Sequence, residues 1–237
     1  MQVKEAIILA GGLGTRLQST VPDLPKPLAP VAGKPFLEYL LKYLNHYGFT
    51  KVILSVGYMA DMIKNHFGDS YQNLKIKYAE EKTKLGTGGA IKFALHQCES
   101  DHVLILNGDS FFDINLQDFY FFHSHYSGMF SIATRWVDNS SRYGTIESIE
   151  DEIVSFREKT CVNIPGLINC GVYIVDHHFF LDNCPSSDSF SLETEFLNKH
   201  IYDFGFFAYT ENGYFIDIGI PEDYDRAQHE FERFKYQ

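Results

Sequence analysis

The 237-residue sequence is short of positive charge. Lys and Arg number 20 against 31 Asp and Glu, for a formal net charge of −11. Binding nucleic acid by counterion release needs clustered Lys and Arg, so no nucleic-acid partner is expected. A polyphosphate is still within reach where a few cations converge and acidic side chains hold a divalent metal. Cysteine is equally scarce. The four residues Cys98, Cys161, Cys170 and Cys184 form no CxxC pair and stand at no zinc-ligand spacing, which reads as free thiols in a reducing, cytoplasmic setting. The opening Met1 to Glu5 is polar and lacks the charged-then-apolar layout of a signal peptide. No apolar run approaches the length that crosses a bilayer, so no membrane partner is expected. Internal repeats, low-complexity tracts and linkers are also absent, and the chain reads as one domain over 1–237.

What is present is apolar bulk. Hydrophobic residues make up 45% and aromatics 16%, including 21 Phe and 15 Tyr, enough to fill a single large core. Ala6 to Ala10 (AIILA), Lys51 to Val56 (KVILSV), Lys75 to Ala79 and Val103 to Leu106 (VLIL) read as strands, the first and last buried on both faces. Between them, Pro35 opens a helix with apolar residues at helical spacing and Gly48 as its stop; Asp61 to Phe67 and Gly88 to Cys98 read as further helices. Such alternation predicts parallel strands with right-handed crossovers. After about Ser127 the pattern changes. Strands are expected over 130–136, 144–148, 153–157, 169–175 and 204–209, with helices over 191–200 and 221–235. The fold class is therefore α/β, three-layered, with a mixed and mainly parallel central sheet. A polar-aromatic helix over Leu116 to Tyr126 carries His123 and His125, which do not share a face and read as solvated. His177 and His178 have no evident partner.

Two adjacent segments carry chemistry. Gly11-Gly12-Leu13-Gly14-Thr15-Arg16-Leu17 follows the first strand. Its glycines let backbone N–H groups approach an anion closely, and Arg16 adds a planar fork suited to phosphate oxygens. It is not a P-loop, which ends in Gly-Lys-Ser/Thr, nor a dinucleotide fingerprint, which needs a glycine where Leu17 stands. Next, Leu24-Pro25-Lys26-Pro27-Leu28 holds a lysine between two prolines whose rings restrict the backbone around it. An ammonium aimed in this way beside a Gly-Arg loop suits an α-phosphate.

GGLGTRL, PKPL and GKPFLEYLL together resemble the opening of the sugar-1-phosphate nucleotidyltransferases. The resemblance continues through LGTGGA (Leu85 to Ala90), NGD (Asn107 to Asp109), REKT (Arg157 to Thr160), NCGVYIV (Asn169 to Val175) and FIDIGIPEDY (Phe215 to Tyr224), in that family's order and over nearly the whole chain. It implies a Rossmann-like, GT-A-like fold with a nucleotide-binding half over about 1–126 and a sugar-phosphate-binding half over about 127–237. By the same resemblance, Leu9, Gly11, Gly12, Gly14, Thr15 and Arg16 surround the triphosphate, and Gly86, Thr87 and Gly88 belong to the nucleotide site. Arg16 contacts the departing pyrophosphate and Lys26 neutralises the reacting α-phosphate. Asp109 and Asp217 bind Mg²⁺, a cation that prefers oxygen ligands and keeps part of its water shell. Asn107, Gly144, Glu158, Lys159, Asn169, Gly171 and Glu193 line the sugar-phosphate pocket, Lys159 counting also as catalytic. Thr160 stands where family members usually have proline, and Glu193 equally suits the first turn of a helix.

The segment before LGT reads the base in this family. Guanine presents N1–H and N2–H₂ donors on one edge, which a carboxylate accepts together. Glu81, with Glu80 as second choice, therefore favours GTP. NGDSFFD, RYGT and YFIDIGIPEDY are most similar to the D-glycero-α-D-manno-heptose 1-phosphate guanylyltransferase branch. Mannose-1-phosphate guanylyltransferase and hexose-1-phosphate uridylyl- or cytidylyltransferases stay open, as does a homo-oligomer. A non-catalytic nucleotide-sugar-binding subunit is expected to lose Arg16, Lys26, Asp109 or Asp217, and all four are present. A glycosyltransferase of similar architecture is expected to carry a DxD motif at a strand end, and none stands there. Nothing resembles the β-helical tail of some relatives.

Overall fold

In the computed structural model, residues 3–12, 17, 21–159 and 162–236 are described. The first half alternates as the sequence predicts. Strand β1 (Glu5–Leu9) leads past a small hairpin, β2 (Pro30–Val31) and β3 (Lys34–Pro35), into helix α1 (Phe36–His46). Then come β4 (Lys51–Val56), α2 (Ala60–Phe67), the short β5 (Ser70–Tyr71), β6 (Leu74–Glu80), α3 (Gly86–Leu95) and β7 (His102–Asn107). Strands β7, β1, β4 and β6 lie side by side and parallel.

The second half holds β8 (Ser110–Phe112), α4 (Leu116–His125), β9 (Phe130–Val137), β10 (Thr145–Ile149), β11 (Glu152–Arg157) and β12 (Gly166–Asp176). It continues with α5 (His177–Asn183), a π-helical turn (Leu192–Leu197) running into α6 (Asn198–His200), β13 (Phe206–Thr210), β14 (Phe215–Asp217) and α7 (Pro221–Glu230). One sheet of ten strands, in the order β10-β11-β13-β9-β12-β7-β1-β4-β6-β5, runs through both halves. Strand β12 joins them, antiparallel to β7 on one side and to β9 on the other. Its N-terminal end also pairs with β10, so β10, β11, β13, β9 and β12 close into a ring.

Period-two alternation places the strand side chains on two cores. Ile8, Leu54 and Leu106 face α1, α2, α4 and α7, whereas Ile7, Ile53 and Ile105 face α3, α5 and the π-helical turn. The result is the three-layer α/β/α arrangement with a mixed sheet. The aromatics fill it: Phe130, Phe196 and Phe206 are all fully buried and their rings lie within 6.1 Å of one another. Each contributes on the order of 2 kcal/mol through removal from water.

Three expectations need correction. His123 is not solvated. It is fully buried, its Nδ1 lies 2.8 Å from Ser131 Oγ and its Nε2 3.1 Å from His102 Nδ1. The helix turns that position onto β7 and β9, while His125 stays exposed. His177 does have a partner, the Ser100 carbonyl 3.2 Å from its Nδ1, because α5 starts directly from β12. The closing helix ends at Glu230 rather than Lys235, with a 3₁₀ turn after it.

The ladders β2 with β3, β5 with β6, and β8 with β14 are too short to show in the sequence pattern, and the last of them matters for function. Strands β8 and β14 pair antiparallel with Asp217 opposite Ser110. This ladder sets Asp217 beside Asp109, although they are far apart in the chain. Cys98, Cys170 and Cys184 are free thiols, and Cys161 lies outside the described residues. Among the described residues no helix is long and apolar enough to cross a membrane.

Candidate active site

Two cavities open along the C-terminal ends of the strands, where open α/β sheets hold ligands. The larger, about 560 Å³, is bounded by Leu9, Gly11 and Gly12 after β1, Gly57 and Tyr58 after β4, and residues 81–84 after β6. Gly86 and Thr87 of α3 and Asn107 and Asp109 after β7 complete it. The smaller, about 270 Å³, lies over the β12 side and is lined by Arg142, Gly144, Glu158, Lys159, Asn169, Gly171, Glu193 and Asp217, together with Asn107 and Asp109. The two cavities therefore meet at Asn107 and Asp109. Leu13, Gly14, Thr15, Arg16 and Thr160 lie outside the described residues.

Lys26 stands where the cavities meet. It sits in a single 3₁₀ turn, Lys26–Leu28, whose Pro27 and Leu28 are buried. That anchoring fixes where the side chain leaves the backbone. Its Nζ is 2.5 Å from Asp109 Oδ2 and 3.9 Å from Asp217 Oδ1, with the lysine side chain only 12% exposed. Gly219 N donates to Asp217 Oδ1 at 2.7 Å. Gly219 lets the two side chains approach closely: a Cβ there would lie 2.6 Å from Lys26 Nζ and 2.7 Å from Asp217 Oδ1. Burial raises the Asp217 pKa above the usual carboxylate value, the Asp109 charge adds to the rise, and Lys26 and the Gly219 amide offset part of it.

Two carboxylates that strain against each other in a half-buried cleft suit a divalent cation. Among the described residues no group of three or more His, Cys, Asp or Glu side chains forms a metal site by itself. One or two carboxylates completed by phosphate oxygens and water is, however, the usual magnesium arrangement, so the donor set fits.

In the wall of the larger cavity, Glu81 accepts from Ser55 Oγ at 2.9 Å and, through its other oxygen, from Leu85 N at 3.4 Å. Glu80 points the opposite way and pairs with Lys64. Of the two acidic candidates, only Glu81 faces the cavity. Ser55 is fully buried, and a hydroxyl interrupting the apolar run KVILSV is the only sign of it in the sequence. Gly86 and Thr87 line the cavity, but Gly88 does not. Its amide donates to the Phe190 carbonyl at 3.1 Å, and a Cβ on Gly88 would run into the Phe190 ring, so that glycine serves packing.

In the smaller cavity β12 carries an irregularity between Asn169 and Tyr173. Gly171 there has φ +71°, and a Cβ would lie 2.7 Å from Asn107 Cγ. Only glycine allows this left-handed turn and the seating of the Asn107 amide against it. Asn169 is turned along its own strand, donating to Tyr173 Oη at 2.8 Å and accepting from Gly171 N at 2.9 Å. Glu158 and Lys159 are exposed at the rim. Arg142, within RYGT, carries no role from the sequence alone. It lines this cavity, donates to buried Asp223 at 2.9 Å and to Tyr143 Oη at 3.0 Å, and thereby adds a fixed cation.

The two cavities thus share Asn107 and Asp109, and Lys26 holds Asp109 at 2.5 Å. The model of the family described as "Nucleotidyl transferase" matches residues 5–233. The chain belongs to the nucleotidyl transferase family. It is 42% identical over 231 residues to the D-glycero-alpha-D-manno-heptose 1-phosphate guanylyltransferase of Aneurinibacillus thermoaerophilus, covering 97% of this chain and 99% of that protein. The enzyme of the same description from Campylobacter jejuni is 43% identical over 221 residues, covering 93% of this chain and 96% of that one. Among solved structures, HddC from Yersinia pseudotuberculosis complexed with GMP-PN has a TM-score of 0.85 at 38% identity, over 97% of this chain and 100% of that one. As a nucleotidyl transferase the chain is an enzyme, and its fold is the Rossmann-like, mixed-sheet α/β fold that its sequence implied.

Proposed function

We propose that this nucleotidyl transferase joins GTP to a sugar 1-phosphate, with D-glycero-α-D-manno-heptose 1-phosphate as the sugar substrate, giving a GDP-sugar and pyrophosphate. The observation that carries this reading is the meeting of the two cavities at Asp109, within 2.5 Å of Lys26. One cavity is shaped for the nucleotide, with Glu81 as acceptor for the guanine donors; the other is a polar cleft for the sugar phosphate. The relatives described as heptose 1-phosphate guanylyltransferases support both substrate assignments.

The nucleophile, a sugar-phosphate oxygen, is already anionic and needs no general base. The barrier lies in bringing two anions together and in the charge gathering on pyrophosphate, so catalysis is positioning and electrostatic stabilisation. Lys26 neutralises charge at the α-phosphate. Lys159 and Arg142 draw the sugar phosphate inward, while Glu158, Asn169 and Glu193 receive its hydroxyls beside Gly144 and Gly171. Arg16, on sequence grounds, contacts the leaving pyrophosphate. Mg²⁺ held by Asp109 and Asp217 would offset negative charge on the phosphates. Both halves, 1–126 and 127–237, act as one catalytic unit in the cytoplasm. The presence of Lys26, Asp109 and Asp217 together supports turnover over a purely binding role.

The test is pyrophosphate release from a matrix of the four nucleoside triphosphates against heptose, mannose, glucose and N-acetylglucosamine 1-phosphates. The expected result is turnover with GTP and the heptose phosphate above all other pairs. Best turnover with another base would remove Glu81 as the reader of guanine, and best turnover with a hexose would change the sugar assignment.

A further inference from the structure

We propose that Thr87 is a positioning residue whose hydroxyl sets Glu193 in the sugar cleft from the edge of the nucleotide cavity. The inference rests on the two-substrate reading above and changes what Thr87 does within it. Thr87 lines the larger cavity, where proximity alone suggests contact with a phosphate. Its hydroxyl is committed elsewhere: it donates to Glu193 Oε2 at 2.8 Å and accepts from Leu192 N at 2.9 Å. A threonine hydroxyl has one proton to donate, and phosphate oxygens offer only acceptors. Thr87 therefore has no proton left for a triphosphate.

The join between the two segments is extensive. Phe190 N donates to Leu85 O at 2.9 Å, and Gly88 N and Gly89 N donate to Phe190 O at 3.1 and 3.3 Å. The first turn of α3 and residues 190–193 are thus stitched together by their backbones. Ser191 Oγ also donates to Glu193 Oε2, at 3.0 Å. Both hydroxyls bind the same carboxylate oxygen, and Oε1 makes no hydrogen bond among the described residues. That leaves a carboxylate fixed at one oxygen and open at the other, on the wall of the sugar cleft. Such a group selects a hydroxyl donor at one place and excludes an anion there.

The test is a double-mutant cycle in the intact enzyme with Thr87→Val, Thr87→Ser, Glu193→Ala and Thr87→Val with Glu193→Ala, using GTP and the sugar 1-phosphate that the parent turns over best. Thr87→Val removes the hydroxyl at nearly constant volume. Loss of a hydrogen bond to a charged group should raise KM for the sugar phosphate roughly tenfold, with KM for GTP moving far less. Thr87→Ser should restore the parent value, and the double variant should be no worse than Glu193→Ala alone. A rise in KM for GTP instead would return Thr87 to direct nucleotide contact. Independent, multiplying losses in the double variant would equally overturn the inference. Should the parent turn over no sugar phosphate, the nucleotidyl-transfer reading fails separately. The crystal structure of Thr87→Val then decides this inference: a Glu193 carboxylate turned out of the cleft supports it, and an unmoved one overturns it.

Discussion

Replacing Gly219 by Ala isolates the electrostatic centre from the fold. The added Cβ would lie 2.6 Å from Lys26 Nζ and 2.7 Å from Asp217 Oδ1, where ordinary contacts begin at 3.4 Å. Gly219 is not among the residues with positive φ, so the backbone accepts alanine without strain. The atoms that must yield are the ends of a lysine and an aspartate, which rotate at little cost. Stability should therefore change by less than about 1 kcal/mol, the range of substitutions that create no cavity and bury no unpaired charge. Function should respond differently. Restoring contact distance moves the ammonium by roughly 1 Å, and a displacement of that size at a reacting centre can cost about 10²-fold. The assay is steady-state pyrophosphate release with both substrates varied, beside a thermal melt. The reasoning predicts a fall of about 10²-fold in kcat with an unchanged melt. A variant within about threefold of the parent, less than 1 kcal/mol of barrier, would show that the position of Lys26 does not control the chemical step.

Four further outcomes follow from the same geometry. Lys26→Ala should lower turnover by roughly 10²-fold or more, the scale of losing one preorganised donor, and near-normal turnover would remove Lys26 from the reaction. Asp109→Asn should abolish magnesium-dependent turnover while the far-ultraviolet circular dichroism stays unchanged; a variant with the parent's magnesium titration would contradict the metal assignment. Ser55→Ala withdraws the hydroxyl that holds Glu81, so preference for GTP over UTP in kcat/KM should fall roughly tenfold, and an unaltered ratio would disconnect Glu81 from base selection. Burial, and second the charge of His102, push His123 down to about 3, while an unfolded histidine takes its proton near pH 6.5. The buried neutral form therefore loses stability as pH falls from 6.5 towards 3, by about 2 kcal/mol at pH 5 relative to pH 7. Equilibrium unfolding at the two pH values should show that loss in the parent and a smaller one in His123→Gln.

The sequence made the architecture legible where apolar runs are long. AIILA, KVILSV and VLIL read as buried strands, and the switch after Ser127 marked the extension of the sheet, which is mixed because β13 runs parallel to β9. The ladders of two or three residues left no periodic signal, and one of them, β8 with β14, decides the site by seating Asp217 opposite Ser110. Its members were visible only as motifs. A single sequence also cannot show which face of a helix a polar residue takes when aromatics surround it. Hence His123, within the run FYFFHSH, read as solvated although it is fully buried. Among the site residues, Lys26 announced itself by local chemistry, whereas Asp109 and Asp217 were legible only through the family resemblance. Gly86 and Gly88 looked alike in LGTGGA, and both pack against Phe190, yet only Gly86 also lines the cavity, because their surroundings include a segment a hundred residues away. Ser55, Thr87 and Arg142 act through partners, and partners are a property of the folded chain.

The central claim is that the nucleotide and the sugar phosphate enter from opposite sides of Asp109 and react beside Lys26. A crystal structure of the enzyme with its GDP-sugar product and Mg²⁺ tests it most directly. The account predicts guanine against Glu81, the sugar between Glu193 and Glu158, and the diphosphate spanning Lys26 and Asp109. A product bound with its diphosphate away from Lys26, or with its sugar in the larger cavity, would contradict it.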